Sequence, residues 1–456
     1  MIKKLKKIFF GTYSRGFVVS YFLFLMIGAT LLKLPISIRA NQTLSWIDAI
    51  FVSVSGMSTT GLSTISVREV LTPFGQTVLA FILQFGGIGL IMFVATFWLL
   101  SRKRISFRER NMIMTDQNQI GRAGIVGFVR NVLIMILSIE LIGFVVMTLY
   151  LFLTGTFAFG EAMFQSFFLT ISMFTNAGFD ITPFEGGSLV YYADNQMYFM
   201  QIIAMTLMIL GAIGFWPLAE LKMWVQAKMK KQKYEFSLFT KILVFMHIGL
   251  WLVSAIVVFV VEYNGFFADK SLLDSIFYSL FMALTTRNAG FATMDMNSFT
   301  NTTQVLFGIL MFIGSSPNSA GGGIRTTTFL LTFLGILAFA RGKEQVVIHK
   351  KSIKMDTVHK SMMVVIGAGA LIFTALMIMS ISEPFTFKQL FFEIASAFGT
   401  TGLSLGITSQ LTNVGKFVLI VIMFCGRIGI LALLLMFKGN RSASSIKYPE
   451  VDMIVG

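Results

Sequence analysis

Four short segments of the 456-residue chain share one pattern: Ser58-Thr59-Thr60-Gly61, Thr175-Asn176-Ala177-Gly178, Arg287-Asn288-Ala289-Gly290 and Gly399-Thr400-Thr401-Gly402. Their glycines stand 117, 112 and 112 residues apart, and a quarter of the chain is 114. Glycine reaches backbone conformations closed to other residues, and its missing side chain lets carbonyl groups crowd together. A ring of such carbonyls replaces the hydration shell of a monovalent cation. A divalent ion would call for carboxylates, yet the only acids near these segments are Asp180 and Asp295, so no ring of four acids exists.

Two further features carry chemistry. Gly314-Ser315-Ser316-Pro317-Asn318-Ser319-Ala320-Gly321-Gly322-Gly323 interrupts a long apolar run, and Arg427 lies inside another, in Gly426-Arg427-Ile428-Gly429. An arginine at bilayer depth must pair and is rarely without function; it offers five donors to carbonyl groups. Enzymatic chemistry finds no support. The three histidines (His247, His349, His359) and the lone Cys425 are far apart, which argues against a metal cluster. No nucleophile–base constellation or nucleotide-hydrolysis loop is present.

The elements that hold these residues follow from composition. Hydrophobic residues make up 55% and charged residues 12%, with mean hydropathy +0.80. So few charges cannot cover a soluble surface of this length, which leaves an all-α polytopic membrane protein. Apolar spans lie near 16–34, 76–100, 127–154, 197–221, 241–262, 302–340, 357–381 and 413–437. The first follows a basic N-terminal stretch and reads as an uncleaved helix. Shorter stretches at 46–60, 160–176, 271–287 and 388–400 hold about 20–25 Å of helix and cannot cross a core of about 30 Å. Each of the four ends in one of the glycine segments and reads as a re-entrant helix.

The unit is therefore span, re-entrant helix, glycine loop, span, repeated four times around one axis. The repeats cover 1–105, 106–225, 226–345 and 346–440, with a tail at 441–456. The four helix C-termini, partly negative, would point at the axis and favour a cation there. The net charge of +15 sits mainly in clusters between spans (Lys3–Lys7, Arg102–Arg110, Lys222–Lys233, Arg341–Lys354, Lys438–Lys447), whereas the alternate connectors are acidic. This is the positive-inside pattern, with both termini cytoplasmic, and it makes nucleic acid an unneeded explanation.

Pro317 and the glycines break the sixth span. Ten small or polar residues at that depth should line an aqueous cavity rather than face lipid. Lying below the glycine loops on one repeat only, they can obstruct the axis. Arg287 should point behind its loop and pair with an acid, because a cation on the axis would repel the permeant ion. Arg325, at the start of the resumed helix, reads as structural. For Arg427 a salt bridge to Glu140 is an alternative to a role on the axis.

The four glycine loops, the segment Gly314–Phe329, Cys425-Gly426-Arg427-Ile428-Gly429 and the tail Tyr448-Pro449-Glu450-Val451-Asp452 resemble those of the Trk/Ktr/HKT superfamily of potassium transporters, most closely the KtrB/KtrD-type membrane subunits of bacterial Ktr systems. The resemblance covers essentially the whole chain. It implies a potassium selectivity filter made of the four glycine loops (K+ at their carbonyls), an intramembrane gating loop at 314–323, and an arginine at position 427 that pins this loop. It also implies a homodimer with the short tail reaching the other protomer, and a cytoplasmic ring of RCK-type, KtrA/KtrC-like nucleotide-binding subunits docking on the basic loops 222–233 and 341–354. No cofactor is implied in this chain. Sodium as a coupling or activating ion, and channel against carrier, stay open; an inverted-repeat secondary transporter is a competitor.

Overall fold

The computed structural model describes residues 13–89 and 125–437. The basic clusters at 3–7, 102–110 and 438–447, and the tail at 441–456, lie outside them.

The chain is helical in four successive units. In each, a long first helix comes before a short second one: α1 (Tyr13–Lys33) and α2 (Trp46–Ser58), α4 (Ile125–Leu153) and α5 (Phe159–Phe174), α8 (Leu238–Glu262) and α9 (Leu272–Thr285), α12 (Met355–Ser382) and α13 (Phe387–Gly399). Of these, α4, α8 and α12 are long and apolar enough to cross a bilayer. The short helices hold 13, 16, 14 and 13 residues, as the apolar stretches predict. Three begin at side-chain caps that take up otherwise unpaired N–H groups. Ser45 accepts from Asp48 N and Ser271 from Asp274 N, each at 3.1 Å, and Thr386 forms a capping box with Gln389.

The last helix of each unit departs from the expectation of straight spans at 76–100, 197–221 and 413–437. These helices are α3 (Pro73–Ile88), α6 (Tyr198–Ala212), α10 (Asn301–Ile313) and α14 (Asn413–Ile428). All four stop within two residues of a glycine of left-handed φ: Gly89 (93°), Gly214 (106°), Gly314 (65°) and Gly429 (87°). Helix resumes as α7 (Phe215–Met229), α11 (Thr326–Ala340) and α15 (Ile430–Phe437), and α6 and α7 meet at 104°. A residue with φ near +90° cannot continue an α-helix. Among the described residues the helix therefore stops at this place in every repeat, and an inserted loop is seen in the third. Each glycine follows an isoleucine, in Gly86-Gly87-Ile88-Gly89, Gly211-Ala212-Ile213-Gly214, Met311-Phe312-Ile313-Gly314 and Gly426-Arg427-Ile428-Gly429.

Packing closes the units into a ring. The last helix of each repeat lies against the short helix of the next: α3 on α5, α6 on α9, α10 on α13, and α14 back on α2. The buried cores run through these contacts from repeat to repeat. One element lay outside the all-helical expectation, an antiparallel hairpin of β1 (Val346–Ile348) and β2 (Lys351–Ile353). Its turn residues His349 and Lys350 have φ of 47° and 63°. Such two-residue turns usually carry Asn or Gly, so no sequence signal marks this one.

Candidate ion pathway

The four loops share one backbone course. Two residues before each glycine the chain turns left-handed without glycine: Thr59 (φ 56°), Asn176 (54°), Asn288 (81°) and Thr400 (52°). The glycines Gly61, Gly178, Gly290 and Gly402 are also left-handed, at 95°, 67°, 73° and 102°. This alternation turns the loop N–H groups back onto the short helix. Thr60 N donates to Ser55 O at 2.8 Å, Ala177 N to Ser172 O at 2.8 Å, Ala289 N to Thr285 O at 2.9 Å and Thr401 N to Ser396 O at 2.9 Å.

The hydroxyls of the same four helix residues finish the work, and sequence reasoning missed them. Ser55 Oγ accepts from Gly61 N at 3.1 Å and Ser396 Oγ from Gly402 N at 3.0 Å. Ser172 Oγ donates to Phe179 O at 2.7 Å and Thr285 Oγ1 to Phe291 O at 2.6 Å. The signal was available: a hydroxyl residue five or six positions before every loop glycine.

The glycines meet in a closed cycle. A Cβ on Gly61 would strike Ala177 O, one on Gly178 would strike Ala289 O, one on Gly290 would strike Thr401 O, and one on Gly402 would strike Thr60 O. Each would also lie about 3 Å from the next glycine's Cα. Among the described residues, no donor reaches the carbonyl oxygens of Thr60, Ala177, Ala289 or Thr401. With the N–H before each ring glycine turned back onto the short helix, these oxygens are what the ring presents. They match the chemistry of a dehydrated monovalent cation.

The segment Gly314–Gly323 lies against this ring and bonds to all four repeats. Thr59 Oγ1 donates to Ala320 O at 2.7 Å. Ala320 N donates to Gly211 O at 3.2 Å, Ser316 N to Ala212 O at 3.3 Å, and Phe215 N to Asn318 O at 2.7 Å. Gly322 N donates to Thr400 Oγ1 at 2.7 Å, and Gly323 N to Gly426 O at 3.2 Å. Asn288 Nδ2 reaches Thr400 Oγ1 at 3.1 Å and Gly399 O. Ser315 and Ser319 bond to each other at 2.6 Å. The expected water-lined loop is thus largely buried in protein, with many of its polar groups bonded to neighbouring repeats, while Ser316 Oγ and Asn318 Oδ1 have no partner among the described residues. Pro317 and Asn318 reach a cavity of about 590 Å³, shared with Trp216, Arg325 and Lys360. On the other side of the ring, Gly61 and Gly178 line a cavity of about 640 Å³ with Arg68, Glu69, Asp180 and Glu185.

The arginines divide. Arg427 donates through Nη1 to Ala320 O and Thr59 Oγ1, and through Nη2 to Gly86 O and Gly87 O. It therefore joins the inserted loop to repeats one and four. The alternative pairing with Glu140 does not occur: both Glu140 oxygens accept from Gln84 Nε2, at 2.9 and 2.8 Å. Arg325 donates to Ser315 Oγ at 3.3 Å, Ser316 O at 3.4 Å and Gly321 O, bracing the loop from within its own repeat. Arg287 is fully buried, and among the described residues it has no ion pair with the acid expected for it. Its guanidinium has no hydrogen-bond partner among the described residues; the carboxylates of α8 and α9, Glu262 and Asp274, are used elsewhere, on Thr300 and Ser271.

The repeated glycine three positions before each break also proves positional. A Cβ on Gly86, Gly211 or Gly426 would strike the carbonyl of Met57, Phe174 or Phe398, at the end of the short helix of the same repeat. In repeat three the position holds Met311, and Gly399 of repeat four yields instead to the Met311 carbonyl.

Residues 7–448 match the TrkH model, described as a cation transport protein family. The chain is 42% identical over 436 residues to Ktr system potassium uptake protein D of Bacillus subtilis, covering 96% of this chain and 95% of that one. It is 34% identical over 441 residues to Ktr system potassium uptake protein B of the same organism, with the same coverage. Among solved structures, the potassium transporter TrkH of Vibrio parahaemolyticus superposes with a TM-score of 0.69 at 19% identity, over 93% of this chain and 85% of that one, and so shares its fold. A mostly helical membrane fold and a family match over nearly its whole length agree: the chain is not an enzyme but belongs to the TrkH family of cation transport proteins.

Proposed function

We propose that this chain is the ion-translocating membrane subunit of a potassium uptake system. The observation that carries the reading is the closed cycle of Gly61, Gly178, Gly290 and Gly402, each leaving room for an unbonded carbonyl of the next loop. Potassium loses its water to the carbonyls around Thr60, Ala177, Ala289 and Thr401, the selectivity filter. Gly314–Gly323, held by Arg427, is the gate beneath it. The names of the two Ktr relatives support potassium as the ion. The subunit sits in the bacterial cell membrane with both termini cytoplasmic, as a homodimer. A cytoplasmic nucleotide-binding ring of the RCK type docks on the basic loops Lys222–Lys233 and Arg341–Lys354. Only one glycine per loop takes part, which keeps a sodium-coupled or sodium-permeable carrier as the second reading.

Growth of a potassium-uptake-deficient bacterium on low potassium tests this. The wild-type chain, supplied with a cytoplasmic regulatory subunit, restores growth. Gly290→Ser, at φ 73° and against Thr401 O, abolishes growth or makes it sodium-sensitive. Absence of rescue by the wild type overturns the potassium reading.

A further inference from the structure

Arg287 and His247 are both fully buried, and neither has a hydrogen-bond partner among the described residues. All three guanidinium nitrogens and both imidazole nitrogens are unsatisfied. His247 belongs to α8, Arg287 follows the last turn of α9, and these helices pack together. Counted from the turn that joins these helices, His247 lies fifteen positions before Glu262 and Arg287 fifteen positions after Leu272, which sets the two residues at one level of the helix pair. Buried polar groups are almost always paired, and a buried charge without a counter-charge is costlier still. The ion pairs of the described residues, Lys360–Asp356 and Lys416–Asp48, bring no carboxylate here. The nearby hydroxyl of Thr286 is already used on Ala283 O at 2.8 Å.

We infer that Arg287 and His247 form a buried site for a monovalent anion of halide size. The chemistry is one-sided. Guanidinium nitrogens only donate, and a neutral imidazole supplies one further N–H. Four unsatisfied donor nitrogens around one positive charge call for an acceptor carrying one negative charge. Water would take the N–H groups but leave the charge uncompensated. The location gives the site a consequence, because Arg287 directly precedes Asn288 and Gly290 of the third loop. An uncompensated charge there repels a cation held at the ring, and a bound anion cancels it.

The test is crystallisation of the intact wild-type protein with bromide as the only halide. An anomalous bromide peak between the Arg287 and His247 side chains is the expected result. Density there without anomalous signal, which means water, overturns the proposal, as does an empty site. A second readout is the melting temperature in bromide against gluconate at equal ionic strength. Bromide shifts the wild type upward, and the shift is lost in Arg287→Gln and reduced in His247→Phe. An identical bromide shift in all three proteins overturns the site even where crystals fail; if Arg287→Gln does not fold, the wild type and His247→Phe decide it.

Discussion

The backbone N–H of Gly322 donates to the hydroxyl of Thr400 at 2.7 Å, which ties the inserted loop of repeat three to the glycine loop of repeat four. The same hydroxyl accepts from Asn288 Nδ2 at 3.1 Å. Thr400→Val keeps the shape and removes the acceptor, leaving a buried N–H unpaired at a cost of about 1–3 kcal/mol. If the N–H meets water when the loop moves aside, the cost falls on the closed arrangement alone. An energy of that size shifts a two-state equilibrium by about 5- to 150-fold. Rubidium uptake into proteoliposomes should therefore rise several-fold in Thr400→Val. Uptake at or below the wild-type level would show that this bond does not hold the path shut.

Arg427 spans Ala320 O on one side and Gly86 O and Gly87 O on the other. It can restrain the loop as a donor and repel cations as a charge, and two variants separate these effects. Arg427→Ala removes both and should raise flux most at equal expression. Arg427→Lys keeps the charge but loses the planar fork that reaches two carbonyl groups at once, so its flux should fall between Ala and wild type. Equal flux in Lys and wild type would assign the effect to charge alone; unchanged flux in both would remove Arg427 from the gate.

The repeat was legible because it is written in residue types. Four loop glycines at one period, each after an apolar stretch too short to cross, located the short helices to within about two residues. The inserted loop was legible from Pro317 and its glycines. What stayed hidden depends on neighbours rather than on the residue itself. Nothing local says that Arg287 lacks an acid, because its surroundings come from α8. Nor does Gly214 announce a bend of 104°, since an isolated glycine is tolerated in a helix at modest cost; only comparison of all four Ile-Gly steps reveals the break. How closely the inserted loop is packed was not legible either, because the carbonyls and hydroxyls that bond to it come from other repeats, across sequence separations as large as 261 residues for Thr59 and Ala320.

Ser55 and Ser396 each accept the N–H of a ring glycine, Gly61 at 3.1 Å and Gly402 at 3.0 Å. Alanine at either position frees the peptide to rotate and turn an N–H toward the axis. The effect should fall on discrimination more than on total flux: sodium should compete better with rubidium uptake in Ser55→Ala and in Ser396→Ala. A Cβ on Gly402 would strike Thr60 O, so the two loops touch. Contacting sites couple by about 0.5–3 kcal/mol, and the double variant should depart from the sum of the single ones. Unaltered competition in both single variants would show that the short-helix hydroxyls do not orient the ring.

Two glycines in the fourth repeat predict opposite stability changes. Gly369 is exposed on α12, and a Cβ there meets nothing within 4 Å. Gly369→Ala should be neutral or stabilise by about 0.5–1 kcal/mol, through the backbone entropy that glycine loses in a helix. Gly426 is buried where α14 crosses the end of α13, and its Cβ would overlap Phe398 O. The carbonyl belongs to backbone and cannot swing away, so Gly426→Ala must push the two helices apart. Overpacking of this kind costs about 1–3 kcal/mol or more. The displacement would also pull on Gly323 N, which donates to Gly426 O at 3.2 Å, and so reach the inserted loop. Melting of the purified variants should show Gly426→Ala well below wild type and Gly369→Ala at or above it. Equal melting temperatures would mean that the last helix of the repeat is not seated on the carbonyl that ends the short one.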